Sequence, residues 1–284
     1  MHSFTAFLII LLFTPLKVLF ASDDFTPTRS VTYKSIGDTA LKLDVFEPAG
    51  LRPSDRRPAI VFFFGGGWSG GDTKQFHQQS KMMTEQGMVA FSADYRVKSR
   101  NKTTPFECVK DGKSAVRWIR EHAAELGIDP DKIVASGGSA GGHVAVCTAV
   151  IDGIEEDGEK IDISSIPNAM VLFNPVLDTT ANGYGAKNFQ PEQQTDISPC
   201  HHVRKGVAPT IVFHGTSDKT VPFENAERFT KLMTEAGNEC VLVPFEGKDH
   251  GFFNGSYFRK PNGDADHDLT MKHSIDFLRA HGIL

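Results

Sequence analysis

Cysteine is scarce in this chain, and the four that occur, Cys108, Cys147, Cys200 and Cys240, are widely scattered. No CxxC or HExxH spacing occurs, so no familiar zinc motif is present. Export would permit some of the cysteines to pair, but a domain of this size needs no disulfide staples. The run Cys200-His201-His202 looks metal-like. Adjacent side chains point apart, however, and a loop with local hydrogen bonds is expected there. The cluster Asp264, Asp266, His267 and Asp268 reads as the acidic start of the last helix, where carboxylates suit the helix dipole. The expectation is no metal and no cofactor.

Lysine and arginine form no stripe and the net charge is −5, so the electrostatic footprint of a nucleic-acid binder is missing. Long apolar runs are missing too. The strongest, Phe4–Phe13 (FTAFLIILLF), is about half the ~20 residues of a membrane span. It reads as a signal peptide over residues 1–21, giving an exported (periplasmic or extracellular) protein with no stable span. Two features depart from that pattern: no Lys or Arg precedes the run, and bulky Leu19 lies three residues before a cut at Ala21. A retained N-terminal anchor is the rival reading. There is no internal repeat or low-complexity stretch. Tryptophan and tyrosine are few, at 2 and 4, against 22 phenylalanines, which predicts a thick apolar core.

What the sequence does have is alternation. Strands are predicted at Val31–Ile36, Ala40–Phe46, Ala59–Phe64, Met88–Ala93, Lys132–Ser136, Ala169–Phe173, Thr210–His214 and Cys240–Phe245. Helices are predicted at Lys74–Gln86, from Pro105 to a stop at Gly127, and at Ala140–Ile151, Phe223–Ala236 and Asp266–His281. Strands alternating with helices imply an α/β fold, with a mostly parallel central sheet covered by helices on both faces. Residues 22–284 read as one domain. Thr179–His202 is polar and too long for a plain connector, which makes it a candidate small lid or insertion.

Gly137-Gly138-Ser139-Ala140-Gly141-Gly142 falls between a predicted strand and helix. A reversal that tight holds the serine in strained geometry, and only small neighbours avoid collision with the flanking elements. The helix N-terminus behind it favours an anion. Without a chemical partner, the same glycines would merely allow close packing. A serine hydroxyl needs a base, and His250 alone among the later histidines directly follows a strand; His267, His273 and His281 fall on or beside the last helix. For the acid, Asp218 follows the strand Thr210–His214. Asp178, after the preceding strand, is its rival, and Asp249 is a weaker one. Gly66 and Gly67, after the third strand, and Ala140, after the serine, could donate N–H groups to an oxyanion. Trp68 could wall a substrate pocket or simply pack. The P-loop Lys-Ser/Thr ending is absent from the glycine run.

Phe64-Gly65-Gly66-Gly67-Trp68, Asp94-Tyr95-Arg96, Gly137–Gly142, His214-Gly215 with Asp218, and His250-Gly251-Phe252-Phe253 together resemble the hormone-sensitive-lipase-like and BD-FAE-type bacterial esterases of the α/β-hydrolase superfamily. The resemblance implies an α/β-hydrolase fold and cofactor-free hydrolysis of short-chain carboxylic esters. It makes Ser139, Asp218 and His250 the catalytic triad, and Gly66, Gly67 and Ala140 the oxyanion hole. The sequence departs from the pattern at Phe64, where the family usually carries a histidine that shapes the glycine loop. With export, the resemblance suggests acetyl or other short acyl groups on polysaccharides, so the expected partner is a small-molecule or carbohydrate ester. Rival readings are a prolyl-oligopeptidase-like peptidase, whose propeller has no counterpart in these 284 residues, an arylformamidase, and a non-catalytic binding protein of the same fold.

Overall fold

A computed structural model describes residues 25–260 and 263–284; the predicted signal peptide lies outside the described residues. Among the described residues eight strands form a single sheet: β1 (Arg29–Ile36), β2 (Thr39–Phe46), β3 (Arg57–Phe63), β4 (Val89–Ala93), β5 (Ile128–Gly138), β6 (Ala169–Phe173), β7 (Thr210–Gly215) and β8 (Cys240–Phe245). Their spatial order is β1-β2-β4-β3-β5-β6-β7-β8. β1 and β2 pair antiparallel, as do β2 and β4; every pairing from β4 to β8 is parallel. The arrangement is that of an α/β-hydrolase, as expected. The carboxyl ends of β3, β5, β7 and β8 therefore open onto one edge of the sheet, where ligands of such sheets bind.

The helices are α1 (His77–Glu85), α2 (Lys98–Asn101), α3 (Pro105–Glu121), α4 (Ala140–Val150), α5 (Phe223–Glu235) and α6 (Ala265–Ala280). α3 starts where Thr104 and Glu107 form a reciprocal capping box ahead of Pro105. It ends at Glu121, short of the predicted stop at Gly127, because residues 122–127 wind as turns held by Leu126 N–H to His122 and Ile128 N–H to Ala123. The helix expected from Lys74 begins instead as a 3-10 turn, Thr73–Phe76, capped by Asp72.

Two apolar layers sandwich the sheet. One joins Val109, Val116, Val144 and Phe229 of α3, α4 and α5 to the strands. The other is rich in phenylalanine: Phe62, Phe76, Phe173, Phe213 and Phe253 are fully buried against α1 and α6. Each such ring contributes roughly 1.5–3 kcal/mol by leaving water, so these layers fix the strand ends firmly.

The segment after β6 returns on itself. Leu177 O accepts the Cys200 N–H at 2.9 Å, the Thr179 N–H donates to Ser198 Oγ at 3.2 Å, and Thr179 Oγ1 donates to Gln194 O at 2.6 Å. Its two ends are thereby stapled together while short 3-10 turns fill the middle.

Candidate active site

Ser139 sits between the end of β5 and the first residue of α4, with φ 56° and ψ −122°. A non-glycine residue there stores of order 1–3 kcal/mol, held by the surrounding structure. The neighbouring glycines are compulsory. A Cβ on Gly141 would lie 2.0 Å from Phe63 O, and one on Gly137 would lie 2.5 Å from Gly141 O. The serine hydroxyl is left facing the sheet edge.

His250, in the loop after β8, places Nε2 at 2.9 Å from Ser139 Oγ. Its Nδ1 lies 2.7 Å from Asp218 Oδ2, in the loop after β7. Asp218 Oδ1 accepts the N–H groups of Thr220 and Val221 at 2.8 and 3.0 Å. Burial by itself would raise the Asp218 carboxyl. Hydrogen bonds from His214, from His250 and from the Val221 N–H outweigh it and hold the group well below the usual aspartate range. His214 Nε2 lies 2.9 Å from Val221 O and 3.3 Å from Asp218 Oδ2, so it is shared between the two. Histidine four residues ahead of the acid at the end of β7 was the available signal for this second partner. Asp178 is engaged elsewhere, accepting from Arg228 at 2.6 Å, and Asp249 is exposed.

The glycine loop after β3 approaches the same point. Gly66 and Gly67 have φ 136° and 62°, and a Cβ on Gly66 would lie 2.1 Å from Gly70 O. Among the described residues, no acceptor takes the N–H of Gly66, Gly67 or Ala140. Two side chains absent from the sequence reading hold this loop. The Gly65 N–H donates to Gln75 Oε1 at 2.6 Å and Gln75 Nε2 donates to Asn254 Oδ1 at 2.9 Å. Asn254 Nδ2 in turn donates to Gly251 O at 2.9 Å, beside His250. Phe64 explains the departure from the family pattern. Its ring stacks on Tyr95 at 4.2 Å, and the Tyr95 hydroxyl donates to Phe64 O at 2.6 Å. The DYR motif is thus scaffold: Tyr95 supports the loop, and Arg96 forks onto buried Asp111 at 2.8 Å.

Trp68 lies behind the cavity wall. Its Nε1–H donates to His143 Nδ1 at 3.2 Å, and its ring packs under Tyr184 and Phe189. His143 Nε2–H donates to Ile197 O at 2.7 Å, tying α4 to the segment after β6. Complete burial pushes the His143 imidazole down to about 4, so it is neutral. Cys200, His201 and His202 turn to different partners: Asn225 O, Ser198 Oγ and Thr195 O.

Ser139, His250, Gly66 and Gly67 line a cavity of about 390 Å³ with Asn174, Tyr184 and Arg259. Asn174 has φ 31° and carries its Nδ2 to 3.3 Å from His250 Nδ1. A larger hollow of about 450 Å³ lies away from these residues, between β1 and α3. Among its charged residues, Lys34 pairs with Glu156 and Arg117 with Glu155.

The BD-FAE family model matches residues 43–233. The chain belongs to the BD-FAE family. Among solved structures this BD-FAE protein is similar to Thermogutta terrifontis esterase 2. For the form phosphorylated by paraoxon the identity is 48%, over 90% of this chain and 95% of that one, with a TM-score of 0.83. For the propionate-bound form it is 46%, over 92% and 97%, with a TM-score of 0.85. It is also 29% identical to the esterase LipQ of Mycobacterium tuberculosis, over 80% of this chain and 54% of the relative. Identity to the acetylxylan esterase of Xylanibacter ruminicola is 29%, over 73% and 43%. The chain spans about half the length of the curated relatives it matches.

Proposed function

We propose that this protein is a serine carboxylic-ester hydrolase for short-chain acyl esters, with Ser139, His250 and Asp218 as its triad. The observation that carries the reading is the continuous chain from Ser139 Oγ to His250 at 2.9 Å and on to Asp218 at 2.7 Å, facing a cavity. His250 Nε2 takes the Ser139 proton as Oγ attacks the ester carbonyl. Asp218 accepts from Nδ1–H, which fixes the tautomer and stabilises the imidazolium. The unpartnered N–H groups of Gly66, Gly67 and Ala140 receive the oxyanion. His250 returns the proton to the leaving alcohol, and water releases the acyl group by the same route.

The modest cavity favours a small acyl group. Support for the chemistry comes from the similar Thermogutta esterase, which has been obtained phosphorylated by paraoxon and with propionate bound. Phosphorylation of that kind requires an activated nucleophile. The acetylxylan esterase relative supports acetyl groups on polysaccharides as the natural substrate, and export through the leader fits such a role.

The test is a series of 4-nitrophenyl esters from acetyl to decanoyl, beside acetylated xylan, with the wild type and Ser139→Ala. Hydrolysis peaking at short chains and abolished in Ser139→Ala is expected. Wild-type turnover in Ser139→Ala would end the mechanism. Cleavage confined to amides would favour a peptidase or formamidase, and no turnover of any ester a binding protein.

A further inference from the structure

Arginine in this protein is a paired residue. Arg29 reaches Glu47, Arg100 reaches Asp94 and Arg228 reaches Asp178, while Arg120 and Arg279 give their N–H groups to backbone carbonyls and to Gln86. Arg259 is the exception. Among the described residues its guanidinium meets neither a carboxylate nor a hydrogen-bond acceptor, and it stands in the wall of the Ser139 cavity.

Its position there is specific. Gly251 follows His250 directly, and a Cβ on Gly251 would lie 2.7 Å from Arg259 Nη1 and 3.2 Å from Cζ. The absent side chain, at φ 94°, is what leaves the guanidinium room beside the histidine loop. Among the described residues no Asp, Glu or Lys lines the cavity, and Arg259 is the one permanent formal charge there. An unpaired cation at the mouth of a cavity gives it a positive potential, which draws anionic ligands inward.

The proposed chemistry says which half of the substrate meets it. His250 must reach the leaving oxygen, so the wall beyond His250 borders the alcohol half of the ester. The glycine loop and Ala140 border the carbonyl oxygen instead. We propose that Arg259 is a subsite for a carboxylate carried on the alcohol half of the substrate, as in an acylated uronic acid or an acylated hydroxy acid. A guanidinium fork matches a carboxylate in two parallel hydrogen bonds, a geometry a neutral alcohol cannot supply. The inference rests on the ester-hydrolase reading given above.

The test compares 4-acetoxybenzoate with its neutral methyl ester in the wild type, Arg259→Gln and Arg259→Lys. Comparing the ratio of the two kcat/KM values between proteins cancels the intrinsic reactivity of each ester. Because Arg259 is exposed, Arg259→Gln should lower the anionic-to-neutral ratio by about fivefold, with Arg259→Lys intermediate. Raising NaCl from low ionic strength to about 0.5 M should lower the wild-type ratio and leave that of Arg259→Gln flat, since salt screens an exposed charge. Equal ratios in wild type and Arg259→Gln, with both esters hydrolysed, would overturn the subsite alone. Failure of the wild type to hydrolyse either ester would overturn the hydrolase reading and the subsite with it.

Discussion

Gln75 donates to Asn254 at 2.9 Å across 179 residues of sequence, and both side chains are buried. Through them the Gly65 N–H on one side of the cavity is joined to Gly251 O on the other. The loop that carries the proposed oxyanion donors is therefore hydrogen-bonded, through two side chains, to the loop that carries the proposed base.

Gln75→Leu removes the acceptor of the Gly65 N–H and the hydrogen bond from Gln75 to Asn254. Loss of a whole oxyanion donor costs ~100–1,000-fold, and misalignment of the loop should cost about tenfold. The loss is expected in kcat with KM nearly unchanged. Steady-state kinetics on 4-nitrophenyl acetate read it, with thermal melting to confirm a folded variant. An unchanged kcat in a folded protein would remove the positioning role.

Asp218→Asn should lower kcat by about 10⁴-fold, because the amide can hold the wrong imidazole tautomer. It should also change the acid limb of stability. The Asp218 carboxyl lies well below its unfolded value in the native protein. Its contribution is therefore complete above about pH 4 and is lost as pH falls through the folded value. Melting temperature against pH should drop less steeply below about pH 4 in Asp218→Asn than in the wild type.

His143 acts in a different window. Its folded value is about 4 against an unfolded value near 6.5, so the unfolded chain binds the extra proton between them. Stability from the neutral ring is complete above about pH 6.5 and is lost as pH falls toward 4, by roughly 3 kcal/mol. His143→Gln should start less stable at pH 7.5, because the bonds to Trp68 and Ile197 are disturbed, and should then lose less between pH 6.5 and 4. Chemical denaturation at fixed pH values measures it; parallel curves for the two proteins would refute it.

Much of this was legible locally. All eight strands lie within a few residues of their predicted places: short continuous apolar runs such as AIVFFF mark central strands buried on both faces, and alternation marks the half-exposed β2. Ser139, Asp218 and His250 were legible as strand-end residues, and the structure brings all three together. Helix α3 was overextended because Ala123 and Leu126 continue its apolar stripe through turns. Gln75 and Asn254 carry no local pattern; only the meeting of two distant loops gives them a role. Phe64 was readable as a departure, but its partner Tyr95 lies on another strand's exit and no spacing rule links the two.

The stapled segment after β6 has a consequence for how such a cavity diversifies. Its ends are fixed to one another and to α4 through Ile197, while Tyr184 reaches the cavity from between them. A change at Tyr184 would redraw that part of the cavity wall while the paired ends of the segment keep their partners, whereas Phe189, buried against Trp68, has less room to vary.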